Sequence, residues 1–234
     1  MDASETPRSA RKRKAILDAA TDTFLEHGYH GTSMDEIAAA AGVSKQTVYK
    51  HFTDKRSLFA EMVAMVVDES RDPIEAELVA LQPSEDLAGD LRRLARRQLD
   101  SILQPRLLAL RRLVIGEAGR FPDLGRVFYE RGFARSSAQV AEALARLADA
   151  GALRIDDSQL AAAHLSWLTL SAPVNRAMLL GPDGIPPKRE LDRLIDAGVS
   201  VFLAAYGDSG ASSPAPGSGS ASPAPRSGSA DGHR

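Results

Sequence analysis

The 234-residue chain has no cysteine, which excludes disulfide scaffolds, thiolate zinc sites and cysteine nucleophiles. Aromatic residues are scarce, 5% of the chain with a single tryptophan. No apolar run approaches the roughly 18 residues of a membrane span, so no membrane partner is expected. The opening stretch, residues 1–14, has no apolar segment behind its charges. It does not read as a secretory signal, and a cytoplasmic location is the expectation. An excess of one charge is also missing: 29 Lys/Arg against 31 Asp/Glu leave a net charge of −2, so any nucleic-acid reading must rest on local charge. There is no Gly-x-Ser-x-Gly, no glycine-rich phosphate loop and no His-Glu-x-x-His, so the chain does not read as an enzyme. His27 and His30 are three apart, but Gly28 between them should end a helix, and no nearby carboxylate cluster completes a metal site. Neither a metal nor a cofactor is expected.

Alternating β-branched runs are absent too, and what remains is helical periodicity. Ile16, Ala20 and Phe24 form one apolar stripe; Leu58, Met62, Met65 and Val66 form another. Leu87, Leu91, Leu94, Gln98 and Ile102 form a third, with one polar member. Val140, Leu144 and Leu147, then Leu191, Leu194, Gly198 and Val201, continue the pattern. Breakers separate the stripes: Gly28, Gly42, Pro73, Pro83, Pro105, Pro122, Gly151 and the pair Pro186–Pro187. Pro105 and Pro122 suit first-turn helix positions. The pattern predicts about nine helices, one of them near 123–150 either long or broken at Gly132. The ends differ from the middle. Residues 1–8 read as a disordered arm. Residues 208–234 hold 22 Ser, Ala, Pro or Gly among 27 residues, too little apolar surface to offset the entropy of ordering, and read as a disordered tail.

The most informative segment is residues 9–59. Ser33 is followed three residues later by Glu36, a capping-box signature that opens a helix through about Ala40. Ala41-Gly42-Val43 makes a tight turn, Ser44 caps a second short helix from Lys45 to about His51, and Asp54 or Thr53 caps the next. Two short helices around a glycine turn suggest helix-turn-helix. Ala38 is small where the helices must approach, and Val48 can face inward to Ile37 and Phe24. Lys45, Gln46, Thr47, Tyr49, Lys50 and His51 are left mostly outward; all can hydrogen-bond and none is acidic, as a helix in the major groove requires. Arg8, Arg11, Lys12, Arg13 and Lys14 are expected ahead of the first helix as a basic arm, and residues 8–56 carry nine Lys/Arg against six Asp/Glu. The arm can track phosphates or enter a minor groove, or it is a charged solvated terminus.

These residues carry a resemblance. Gly-x-x-Gly-Thr-Ser, Ile-Ala, Ala-Gly-Val-Ser-Lys, Val-Tyr-x-His-Phe and Lys-x-x-Leu follow one another in order and spacing over residues 10–60. The segment resembles the AcrR-like DNA-binding part of the TetR family of transcriptional regulators. The resemblance implies an all-α fold: an N-terminal three-helix bundle with helix-turn-helix over residues 9–56, then a larger helical ligand-binding and dimerisation domain over 57–207. It implies base contacts from Lys45, Gln46, Thr47 and Lys50, and phosphate contacts from Thr32, Ser33, Tyr49, His51 and Lys55. Gln46 stands where many members have glycine. Tyr49 also reads as a packed amphipathic ring, and His51 as a satisfied core histidine.

The run from Leu107 to Gly132 resembles regulators with an AefR-like C-terminal domain. The partners so implied are a double-stranded DNA operator, a small-molecule effector of unknown identity and a second copy of the chain. Helices at about 157–180 and 188–206 are expected to form the homodimer interface, through stripes with small residues: Ala161, Ala172, Ala197, Gly198, Ala204 and Ala205. The same stripes also read as intramolecular core. Pocket candidates are Gln98, Phe128, Arg131, His164, Trp167 and Asn175, the last beyond Pro173, which should bend its helix. Each has a plainer reading: a cap for Gln98, a surface ion pair for Arg131, a hydrogen-bonded histidine, a packed tryptophan. The functional expectation is a homodimeric repressor released from a palindromic operator by the effector. A helical ligand-binding or adaptor protein with a vestigial DNA-binding module is the alternative.

Overall fold

Eleven α-helices fill residues 7–70 and 72–207, the residues that the computed structural model describes, and no strand occurs among them. The expected tail over 208–234 and the first six residues of the arm lie outside the described residues. The helices are α1 (Pro7–Gly31), α2 (Met34–Ala40), α3 (Lys45–His51), α4 (Lys55–Glu69), α5 (Asp72–Ala80), α6 (Leu87–Ile102), α7 (Pro105–Ala118), α8 (Pro122–Phe128), α9 (Arg135–Asp149), α10 (Ser158–Leu180) and α11 (Lys188–Tyr206). A π-helical turn, Tyr129–Ala134, joins α8 to α9 without a loop and contains Gly132. That division, together with the nine-residue α5, raises the count above nine.

Local chemistry sets the helix boundaries. Asp86 and Asp157 accept the backbone N–H groups of Gly89 and Leu160, capping α6 and α10 at 2.9 and 3.0 Å. Pro105 and Pro122 are the first residues of α7 and α8, where a missing N–H costs nothing. Pro7 plays the same part in α1, so the helix takes in Pro7 and Arg8, which the sequence reading gave to the arm. The basic run therefore lies within the first turns of α1 and not ahead of it. Arg13 pairs with Glu61 and Lys14 with Asp18, while Arg8, Arg11 and Lys12 stay exposed. Gly28 kinks α1 at φ 75°, a conformation that a Cβ disfavours. α10 continues through Pro173 to Leu180.

Two cores form. The first gathers Ile16, Phe24, Ile37, Val48, Phe52, Phe59 and Met62 from α1–α4, and extends to Leu110 and Val114 of α7 and Leu124 of α8. The second joins α5, α6, α9, α10 and α11 around Leu94, Leu99, Leu144, Leu165 and Phe202. In α11 the buried stripe is Leu191, Ile195, Gly198, Val199 and Phe202, whereas Val201 is 55% exposed. The expected stripe ran one face away at its C-terminal end, because apolar residues cover more than half of this helix.

Ala161 and Gly198 are buried within the chain; Ala172, Ala197, Ala204 and Ala205 face outward. At Gly198 helices α10 and α11 nearly touch. A Cβ there would stand 2.7 Å from the Leu168 carbonyl oxygen and 2.9 Å from Thr169 Cγ2. Gly198→Ala is expected to lower stability by about 1–3 kcal/mol through overpacking. Urea unfolding checks this, and an unchanged midpoint would contradict the close approach.

Candidate nucleic-acid interface and central cavity

The helix-turn-helix rests on three caps. The Ser33 hydroxyl accepts the Glu36 N–H at 3.2 Å, and the Ser33 N–H donates to Glu36 Oε2 at 2.7 Å. The hydrogen bond from the Ser33 backbone, then that from its side chain, holds the Glu36 carboxyl below its ordinary value. Ser44 accepts the Thr47 N–H at 3.2 Å and starts α3. Asp54 accepts the Ser57 N–H at 2.7 Å and starts α4. Between α2 and α3, Gly42 takes φ 65°, and the Val43 N–H returns to the Ala38 carbonyl at 3.0 Å.

This turn fixes which face of α3 is inward. Val48 is fully buried; Lys45, Gln46, Tyr49 and Lys50 are exposed, and Thr47 and His51 are half-buried. No carboxylate lies on α3. Gln46 and Lys50 make no hydrogen bond or ion pair among the described residues. Lys45 reaches across to Asp35 of α2 at 2.8 Å, and that hydrogen bond, then the charge behind it, raises the lysine above its ordinary value. Thr47 shares a hydroxyl contact with Ser44 at 2.8 Å, and His51 packs near Phe52, ring centroids 6.3 Å apart. Ser33 sits at the exposed start of α2.

Two residues expected at phosphates are turned inward. Thr32 is 3% exposed, its hydroxyl 2.8 Å from the Gly28 carbonyl and 3.2 Å from that of Thr23. Lys55 donates to the carbonyl oxygens of Tyr29 at 2.8 Å and Thr32 at 2.9 Å, and its ammonium lies 4.6 Å from the Tyr29 ring centre. Thr32 closes the kinked end of α1 on itself, and Lys55 fastens that end to the start of α4. The Lys55 partners lie more than twenty residues away in sequence, and Thr32 reaches Thr23 nine residues back only because Gly28 kinks α1, so the motif alone could not reveal this duty.

A cavity of about 200 Å³ opens where the two cores meet, with walls from α4 to α8, the π turn, α9 and α10. Of the pocket candidates, Gln98, Phe128, Trp167 and Asn175 line it. Arg131 does not: its guanidinium pairs with Asp68 at 2.9 Å on the surface. His164 does not either; its Nδ1 is 2.7 Å from the Tyr206 hydroxyl, on the outer side of α10. Sequence reasoning missed Arg111, Phe133, Ser136 and Ser137 in the lining. A signal for Arg111 was its place four residues after Leu107 and three before Val114, within an apolar helix face.

Among the described residues no helix is long and apolar enough to cross a membrane. The model for bacterial regulatory proteins of the tetR family matches residues 16–62. The model for the C-terminal domain of AefR-like transcriptional repressors matches residues 89–208. A protein of known structure from Mesorhizobium loti MAFF303099, assigned to the TetR family, is 46% identical; the match covers 86% of this chain and 98% of that one, with a TM-score of 0.81. The flavonoid-responsive regulator FrrA is 32% identical over 86% of this chain and 99% of its own, with a TM-score of 0.69. The transcriptional regulator RutR of Escherichia coli K12 is 42% identical over 65 residues, 28% of this chain and 31% of RutR. The match to that curated relative thus spans about a third of its length.

The inward turn of Lys55 separates it from Lys50. Lys55→Met is expected to cost about 1–3 kcal/mol of stability, because two buried carbonyls lose a charged donor. Lys50→Met is expected to cost nothing measurable. Urea unfolding of the two variants side by side checks the assignment, and equal midpoints would contradict it.

Proposed function

Because the chain belongs to the TetR family of transcriptional regulators, a family of regulators and not of enzymes, we propose that it works as a homodimeric repressor. In this reading it occupies a palindromic operator in the cytoplasm until a small molecule enters the central cavity. The observation that carries the reading is the outward face of α3: Gln46, Tyr49, Lys50 and Lys45 stand free or exchangeable, with no acidic residue among them. Lys45, Gln46, Thr47 and Lys50 are assigned to base edges, and Ser33, Tyr49 and His51 to phosphates. Arg8, Arg11 and Lys12 add cations at the start of α1. Thr32 and Lys55 are assigned to holding the module in shape.

A single short helix reads few base pairs, so two copies spaced by about one helical turn, roughly 34–36 Å, are needed. α10 and α11 offer the surface. Leu160, Trp167, Leu168 and Leu179 are exposed along one face of α10, and Val201 stands among Ala197, Ala204 and Ala205 on α11. A large apolar face of this kind on a folded chain marks an association surface. The small residues of α11 let two helices of a four-helix bundle come close.

The path from cavity to DNA runs along α4. Lys55 begins it; Val67, near its end, lines the cavity. At about 1.5 Å per residue the helix spans on the order of 20 Å as a rigid rod. On α8, Asp123 pairs with Arg56, and Arg56 lies over Phe121, so α8 moves with α4. An effector that prefers a tilted α4 changes the spacing of the two α3 helices, by no more than its differential affinity allows.

The experiment that tests the reading is retention of fragmented DNA from the source organism on the purified protein. One or a few enriched palindromic sites are expected. Salt-sensitive retention with no enriched site would favour a vestigial module instead. On an enriched site, affinity is expected to fall by about 0.9 log unit per log unit of salt for each phosphate neutralised. Lys50→Ala is expected to cost about 1–3 kcal/mol and to relax preference at one base position, whereas Tyr49→Phe weakens all sites alike. Binding titrations over site variants distinguish the two, and a salt-independent affinity would contradict groove docking.

A further inference from the structure

Among the described residues, the central cavity has one charged residue in its lining, Arg111 of α7, and no acidic one. Arg111 makes no ion pair and no hydrogen bond among the described residues. Several other arginines have partners: Arg96 pairs with Asp192, Arg131 with Asp68, and Arg112, the next residue, donates to the Ala177 carbonyl at 3.1 Å. Burial alone holds the Arg111 guanidinium below its ordinary value, with no neighbouring charge acting on it. An arginine does not lose its proton at neutral pH, so the cation remains and its desolvation is uncompensated in the free protein.

A second group points the same way. Gln98 is 3% exposed, lines the same cavity, and has no hydrogen-bond partner among the described residues. The hydroxyls of Ser136 and Ser137 on α9 are likewise without a partner there. Gln98 is buried, Arg111, Ser136 and Ser137 are half-buried, and polar groups without protein partners converging on a cavity fit a ligand that completes them. Around this set stand Phe128, Phe133 and Trp167, rings suited to a flat apolar body.

We propose that the effector is a small aromatic acid whose carboxylate is held by Arg111, with its ring among Phe128, Phe133 and Trp167. The guanidinium presents two parallel N–H groups, the geometry that a carboxylate accepts in two hydrogen bonds. Gln98 and the α9 serines supply donors to the remaining lone pairs or to ring substituents. This inference rests on the ligand-responsive reading above and adds the charge and class of the ligand to it.

The test uses the full chain and three probes of one shape: 2-naphthoate, its neutral amide 2-naphthamide, and 2-naphthylmethylammonium. Trp167 is the only tryptophan and lines the cavity, so its fluorescence reports occupancy of this site. Calorimetry gives the affinity. The acid is expected to bind at least about tenfold more tightly than the amide, the scale of one charged hydrogen-bond pair, and the ammonium not at all. Arg111→Met is expected to erase the preference, to keep amide binding, and to leave the melting temperature unchanged or raised. A residue of purely structural duty would lower it. Arg111→Lys, which keeps the charge without the fork, is expected to fall between. Equal binding of acid and amide, or tightest binding of the ammonium, overturns the inference while leaving the cavity as a ligand site. Absence of binding by all three probes removes the ligand-site reading along with it.

Discussion

The ammonium of Lys55 is the point on which the DNA-facing part depends. It sits under the ring of Tyr29 and holds the carbonyl oxygens of Tyr29 and Thr32, at the place where Gly28 turns the end of α1 aside. Around it Phe24, Tyr29, Phe59 and Phe121 pack edge to face, ring centres about 5 Å apart, so α1, α4 and the approach to α8 meet in one aromatic knot. Burial raises the Tyr29 hydroxyl above its ordinary value. The caps at Ser33 and Asp54 leave from either side of this knot. The orientation of α2, and through the Gly42 turn that of α3, follows from it.

The knot belongs to the first core. The first core does not stop at the end of α4 but takes in α7 and α8, so the DNA-facing helices have no hinge of loose chain beneath them. The compliant region lies instead at the seam, where the cavity, the π turn and the unpaired Arg111 come together. A π turn widens the helix by one residue and loosens its hydrogen bonding. Gly132 within it lies against Val67 of α4, a Cβ there meeting Val67 Cγ1 at 3.4 Å. Strength surrounds α3, and the adjustable contacts lie beside α4.

What could be read from the sequence was what acts over three or four residues. Ser33 with Glu36, Ser44, Asp54, Pro105 and Pro122 mark helix starts because a cap or a missing N–H is a local event. Val48 inward and Lys50 outward follow from helical phase alone. Gln98 was legible because it interrupts an apolar stripe. Thr32, Lys55, Arg131 and His164 were misplaced or only half legible, because their partners, Thr23, Tyr29, Asp68 and Tyr206, are brought near by tertiary packing. Arg111 and Arg112 look alike in sequence. A helical step of about 100° sends one to the cavity and the other to the Ala177 carbonyl.

Trp167 lines the cavity and yet is 61% exposed on the outer face of α10. The wall between the cavity and the outside is, at that point, one ring thick. In a dimer closed over this face, the neighbouring subunit becomes part of the lid of each cavity. Occupancy and self-association then share a free energy, and the linkage runs both ways. Dilution that separates the subunits changes the affinity for the effector, and the effector changes the concentration at which the subunits part.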